Sequence, residues 1–224
     1  MIPRRRFDSP DLKVFTGPRG RLYTTPTGQS YPSVTTVLGA ANKGKDDGLA
    51  RWRERIGAVE ADRITNSAAT RGRTVHLALE RFLNGEPPDL EAMPINAMAE
   101  KMIRKVLTKN LQEVWFSEKK LYSHRLKVAG QGDLGGLWSG WPAIIDFKTS
   151  LREKQEEWIR SHFLQCTLYA LMFEEMFKVS IPGIVVVIFS ESIPEPQVFA
   201  RAKSPYIDEA EDACRKFHEE GRIS

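Results

Sequence analysis

The chain has 224 residues, 41% of them apolar, enough to bury a substantial core as one domain. Its two cysteines, Cys166 and Cys214, exclude a disulfide framework, a four-cysteine zinc site and a four-thiolate iron–sulfur cluster, and imply a reduced, intracellular setting. A net charge of +4 and a pI near 9.1 suit a polyanionic partner without demanding one, and no apolar run is long enough for a bilayer, so a soluble protein is expected.

Up to Ser33 the chain alternates polar and apolar residues around Pro18-Arg19-Gly20 and Pro26-Thr27-Gly28, turn signals that predict short strands. Ser33 is placed as the N-cap of a helix over Val34 to Ala41. A second helix is predicted from Asp47 to Ala69, with Leu49, Trp52, Ile56, Val59 and Ile64 on an apolar stripe. Arg51, Trp52 and Arg55, with Arg71 and Arg73 beyond, are candidates for tracking phosphates and stacking on bases; the plainer reading is a solvated basic face and a core tryptophan. Basic residues also cluster at Arg4-Arg5-Arg6 and at Arg19 and Arg21, whereas Asp208 to Glu220 is acidic.

From Thr70 to Leu83 a further helix carries Gly72, His76 and Glu80 at intervals of four, hence on one face. The small Gly72, one turn before His76, is expected to let a neighbouring strand come close. Asn84-Gly85-Glu86-Pro87-Pro88 stops that helix, and Pro94 to Asn110 forms another, with Met98, Met102, Ile103, Val106 and Leu107 facing inwards.

Three strands follow. The first, Glu113 to Tyr122, contains Glu118; the second, Val128 to Asp133, enters a glycine-rich bend that leaves the Asp133 carboxylate free to point at something. In the third, Ala143 to Ser150, period two puts Ala143, Ile145 and Phe147 on one face and Ile144, Asp146 and Lys148 on the other. An Asp-x-Lys pair on an apolar strand is costly to bury unless it pairs or holds an ion, and taken alone it more often meets solvent. Three acids and a lysine on consecutive strands could converge on a hard divalent cation such as Mg²⁺.

Leu151 to Lys178 has a helical period through Trp158, Ile159, Phe163, Leu168, Leu171, Met172 and Phe177, and sets Gln165 and Tyr169 on one face. Ile184 to Phe189 reads as a fully buried strand and Gln197 to Lys203 as its partner. Ser204 or Asp208 opens an amphipathic terminal helix.

The ordered set Gly72-x-x-x-His76, Glu118, Gly130-x-x-Asp133, Asp146-x-Lys148-Thr149 and Gln165-x-x-x-Tyr169 resembles the RecB-like branch of the PD-(D/E)XK nucleases. Tyr31 to Leu38 and Trp52 to Leu83 are similar to the group of the mitochondrial genome maintenance exonuclease and its phage relatives. Arg73 and Gln131 depart from the pattern, standing where threonine is expected. The resemblance implies an α/β fold with a restriction-endonuclease-like core of order αβββαβ, a mixed central sheet flanked by helices. It implies a single nuclease domain over 1–224, with a hairpin and helical arch in 1–110 and the catalytic core in 111–224.

The resemblance further implies a Mg²⁺- or Mn²⁺-dependent deoxyribonuclease, without an iron–sulfur cluster, that degrades DNA from free single-stranded ends in replication, repair or recombination. In that scheme Asp133, Asp146 and the backbone carbonyl of Phe147 ligate the metal, and Glu118 or His76 completes a second position. Lys148 orients the attacking water or stabilises the transition state; Gln165 and Tyr169 hold a phosphate or orient the Asp133 loop; Ser150 joins the nucleic-acid contacts. By residue type alone His76 would be an ordinary structural histidine. Two alternatives stand beside this one: a structure-specific or duplex endonuclease on the same fold, and a nucleic-acid-binding module that does not cut. Against the module, unneutralised carboxylates repel a polyanion. With no Arg- and Ser-rich leader in the sequence, a bacterial or phage-infected cytoplasm is expected.

Overall fold

The computed structural model describes residues 2–18, 20–41, 48–87 and 94–221, with the backbone alone at 49. The turn residue Arg19, the helix start at Asp47, the side chain of Leu49 and the stop residue Pro88 lie outside the described residues.

Strands β1 (Lys13–Gly17), β2 (Gly20–Thr24) and β3 (Ser30–Pro32) form a small antiparallel sheet, and the Pro26-Thr27-Gly28 turn joins the last two. Ser33 then caps α1 (Val34–Ala41): the Thr36 N–H donates to Ser33 Oγ at 3.0 Å, satisfying one of the orphan amides of the first turn.

The helix expected from 47 to 69 is not one element. α2 (Gly48–Ile56) ends at Gly57, whose φ of 84° suits glycine far better than a residue with a Cβ, and α3 (Ala58–Leu83) then runs unbroken through position 70. The anticipated stripe is not a core stripe either, since Val59 is 86% exposed and only Ala61 is buried on α3 before Val75. α4 (Pro94–Asn110) buries Ala99, Ile103 and Leu107 as its period requires, but Met98 faces outwards.

The main sheet contains β4 (Leu111–Ser123), β5 (Val128–Trp138), β6 (Trp141–Ser150), β7 (Gly183–Ser190) and β8 (Gln197–Ala202), in that spatial order. Pairing is antiparallel except between β6 and β7, which are parallel. A parallel step needs a crossover. It is supplied by α5 (Arg160–Phe177), preceded by a 3-10 turn over Glu156–Ile159, so the helix expected from Leu151 starts later and leaves Trp158 exposed. α6 (Ile207–Glu219) follows β8.

The alternation along β6 divides the core as its period demands. Ile144 packs with Phe163, Phe173, Val186 and residues of α1 and α6 on one face. Ala143, Ile145 and Phe147 pack with Val75 and Leu79 of α3 and Ile103 and Leu107 of α4 on the other. Each such fully buried aliphatic side chain contributes about 1.5–3 kcal/mol. The chain is therefore α/β, with a mixed five-stranded sheet between two helical layers, and α3 and α4 belong to one of those layers. Among the described residues no helix is long and apolar enough to cross a membrane.

One irregularity positions everything that follows. β5 pairs with β6 only from Trp138 and Trp141 to Leu134 and Ile145, yet it stays paired with β4 as far as Val128, and β6 stays paired with β7 as far as Ser150. The two central strands therefore part at Asp133 and Asp146.

Candidate metal centre

A side chain bridges the fork and a ring packs behind it. Asp133 Oδ2 accepts a hydrogen bond from the Phe147 N–H at 2.9 Å, which uses a β6 amide that β5 leaves free. On the other side Tyr169 of α5 lies against Gly130, where a Cβ would stand 2.9 Å from its ring Cε1. Only glycine permits that approach. The glycine-rich bend expected here is instead unbroken strand, because β5 stays paired with β4 from Val128 through Leu134.

Asp146 is 1% exposed. Lys148 Nζ donates to its Oδ1 at 2.7 Å and lies 2.6 Å from Oδ2, and Gln165 Nε2 donates to Oδ1 at 3.1 Å. Oδ2 thus has close ionic contact but no hydrogen bond of good geometry, and is left with capacity for a cation.

Glu118 reaches the fork from β4 through a left-handed backbone, φ 49°, in the middle of a strand. Such a conformation costs on the order of 1 kcal/mol and here turns the carboxylate towards the fork. Gln131, one of the two departures from the resembled pattern, fixes it by donating from Nε2 to Glu118 Oε2 at 2.7 Å.

His76 descends from α3. Its Nε2 lies 2.9 Å from the Phe147 carbonyl oxygen, and its Nδ1 lies 3.3 Å from Glu118 Oε1 and 3.5 Å from Asp133 Oδ1. One donor atom from each of His76, Glu118 and Asp133 falls within 4.8 Å of the others, a spacing that could hold a metal ion.

Charge is balanced here by protons. Burial, then Asp146, pushes the Asp133 carboxyl up to about 7, against the pull of His76 and Lys148. Burial disfavours charge on His76, but Asp133 and Glu118 outweigh it and raise the ring to about 9. The hydrogen bonds agree, because a carbonyl can only accept from Nε2 while Nδ1 faces two carboxylates, so both nitrogens carry protons. Burial likewise opposes the Lys148 ammonium, and Asp146 and Asp133 raise its pKa.

Beside the triad a cleft of about 340 Å³ is lined by Gly72, Arg73, His76, Leu77, Glu80 and Glu118. Gly72 does not have the expected role: a Cβ at 72 would meet nothing within 4 Å, so the glycine admits no strand and keeps cleft space open. Burial, then Glu118, raises the Glu80 carboxyl.

Of the predicted residues, Asp133, Glu118 and His76 group together at the fork beside the Phe147 carbonyl. Asp146, expected to share the metal with Asp133, stands outside that group and is held by Lys148 and Gln165, and Tyr169 lies behind, against Gly130. The nucleic-acid candidates do not assemble in the same way. Arg71 is ion-paired with Glu191, at the end of β7. Arg73 is the exception in that it lines the cleft beside the triad, where its Nη2 donates to Thr70 Oγ1 at 3.1 Å, while Ser150 Oγ donates to the Arg152 carbonyl at 2.7 Å, stapling the turn after β6. Arg51, Trp52 and Arg55 sit on α2, which packs chiefly against α3, outside the group at the fork.

Gln131, Glu80 and His162 were not assigned to the site from sequence. His162 stands three residues before Gln165, on the same side of α5, and that spacing was the available signal. Burial, then Lys148, holds its ring down to about 4.

Neither a protein-family model nor a curated protein matches the chain. Among solved structures, that of the protein SSO0001 matches with a TM-score of 0.38 and 15% identity, over 75% of this chain and 70% of that one. At that score the likeness is loose, and the fold described above rests on the chain's own strand order.

Proposed function

We propose that this chain is a Mg²⁺- or Mn²⁺-dependent deoxyribonuclease with a restriction-endonuclease-like core, a RecB-like member of the PD-(D/E)XK nucleases acting from free single-stranded DNA ends. The observation that carries this reading is the convergence of His76, Glu118 and Asp133 within 4.8 Å, at a fork whose other prong bears the Asp146–Lys148 pair. The helix, three strands, helix and strand around it follow the order αβββαβ.

The donor set fits a divalent cation. His76, Glu118 and Asp133 would hold it, with Asp146 and the Phe147 carbonyl able to join only by leaving Lys148 and His76, and the imidazole among the oxygens favours Mn²⁺ over Mg²⁺, which prefers oxygen alone. Bound there, such an ion lowers the pKa of water and offsets charge growing on a phosphate.

The chain's own groups supply the rest. Lys148 sets a point charge beside Asp146, suited to a phosphate oxygen or to holding the attacking water. Gln165 fixes Asp146, Gln131 fixes Glu118, and Tyr169 buttresses the glycines of β5 just before Asp133. The cleft beside them, about 340 Å³, is at the scale of a small ligand and suits single nucleotides rather than a duplex. α3 covers this face, and the Arg71–Glu191 pair ties it to the end of β7, which supports entry by a strand end.

The test uses end-labelled single-stranded DNA, the same strand circularised, and a blunt duplex, each with Mg²⁺, Mn²⁺ or EDTA, and Lys148→Ala as control. Metal-dependent loss of the linear strand alone, by wild type alone, is expected. Cutting of the circle would make the chain an endonuclease. Binding without cutting under any metal would leave a nucleic-acid-binding module.

A further inference from the structure

Trp158 is 63% exposed although its helical period matches a core stripe. It precedes a different stripe. His162, Gln165 and Tyr169 are spaced three and four apart and run down one side of α5, and Trp158 stands on the 3-10 turn that leads into that helix. Exposure falls along that line, from an open indole through the half-buried His162 and Gln165 to Tyr169 at 4%. Gln165 is bonded to Asp146, so the line ends at the candidate metal centre.

A loop carrying Arg152, Glu153 and Lys154 flanks it. The Arg152 carbonyl accepts from Ser150 Oγ at 2.7 Å and from Ser190 Oγ at 3.1 Å, and the Glu153 N–H donates to Ser192 Oγ at 2.9 Å. The Lys154 N–H and carbonyl are both held by the Gln197 amide, each at 2.8 Å. So anchored, the loop keeps Lys154 close enough to His162 to act on its ring electrostatically, as Lys148 does from the fork.

Resting on the nuclease reading above, we propose that Trp158, His162 and Lys154 bind one nucleotide of single-stranded DNA next to the cutting site. Trp158 stacks on the base, while His162 and Lys154 hold the phosphate that joins it to the strand in the fork. Stacking of this kind needs an unpaired base, tolerates any sequence, and changes affinity by about 5-fold to 100-fold per base.

The experiment measures the affinity of a short fluorescent oligothymidylate in EDTA, where no metal-dependent cutting occurs, for wild type, Trp158→Ala, Trp158→Phe and His162→Ala. Trp141→Ala is the control, because Trp141 is also exposed, at 53%, but begins β6 at the end far from Lys148. We expect Trp158→Ala and His162→Ala to bind at least 5-fold more weakly, Trp158→Phe to recover most of the loss, and Trp141→Ala to match wild type. Binding by Trp158→Ala within twofold of wild type, an equal loss in Trp141→Ala, or no binding by wild type would overturn the assignment. The two readings fail separately: wild type that binds through Trp158 yet releases nothing with Mg²⁺ or Mn²⁺ loses the nuclease and keeps the track. Metal-dependent cutting with unchanged binding by Trp158→Ala does the reverse.

Discussion

His76 Nε2 lies 2.9 Å from the carbonyl oxygen of Phe147, so α3 is pinned to β6 at the one residue between Asp146 and Lys148. The same ring turns Nδ1 to Glu118 and Asp133. Both nitrogens carry protons in this arrangement, and a metal on His76 must displace one of them.

This gives a pH dependence of definite sign. The His76 pKa is raised from 6.5 to about 9, so its charge stabilises the metal-free fold fully below about pH 6.5, and that contribution is lost as pH rises through 9. Asp133, raised from 3.8 to about 7, acts in the same direction at lower pH. Urea unfolding in EDTA should show wild type losing on the order of 1–3 kcal/mol between pH 6 and 9.5, with a flatter profile for His76→Asn. Mn²⁺ affinity should rise over the same interval. Identical pH profiles for the two proteins would remove His76 from the account.

Lys148→Ala should fail in two separable ways. Without the ammonium, the buried Asp146 carboxylate keeps only Gln165, and metal-free stability should fall by about 2–4 kcal/mol. Saturating Mn²⁺ should restore part of that stability by supplying a replacement charge. Turnover should stay at least about 100-fold below wild type even then, because the charge aimed at the phosphate is gone. Metal-restored turnover would reduce Lys148 to a structural counter-ion.

Two glycines near the site should respond in opposite directions. Gly130→Ala drives a methyl group into the Tyr169 ring and should cost about 1–3 kcal/mol, with loss of activity as the part of β5 that carries Asp133 shifts. Gly72→Ala meets no atom and removes helix-breaking freedom, so the protein should unfold up to about 1 kcal/mol less easily. The added methyl faces the cleft, and oligonucleotide affinity should drop despite the gain. Thermal melts paired with binding isotherms read both effects.

Much of the site was legible because strand period and spacing place side chains directly. Asp146 and Lys148 share a face of β6, Ser33 caps α1, and Gln165 and Tyr169 share a side of α5, all from local geometry. What sequence missed depended on tertiary context. The break at Gly57 needs a positive φ that one glycine among sixteen does not announce. Met98 and Trp158 sit on apolar periods but face outwards, because among the described residues none buries them. The left-handed turn at Glu118 has no sequence signature, since no glycine marks it. Gln131 acts across strands, and only the register shows that its amide meets Glu118.

The Arg71–Glu191 pair makes a further point testable. Arg71 is held by a carboxylate in this state, so DNA would have to take it from Glu191. Glu191→Ala should therefore tighten single-stranded DNA binding about 2-fold to 5-fold, the scale of a partly exposed ion pair, and Arg71→Ala should weaken it. Equal affinities for all three proteins would make the pair a clasp between α3 and β7 and nothing more.

The most direct measurement is the rate of nucleotide release from linear single-stranded DNA as a function of Mn²⁺ concentration, for wild type and for Asp133→Asn, which keeps the side chain's size and removes its charge. The account predicts saturable, EDTA-sensitive release by wild type and none by the variant at any Mn²⁺ concentration. Release that persists in EDTA, or that is equal in Asp133→Asn, would contradict a metal-dependent nuclease at the β5–β6 fork.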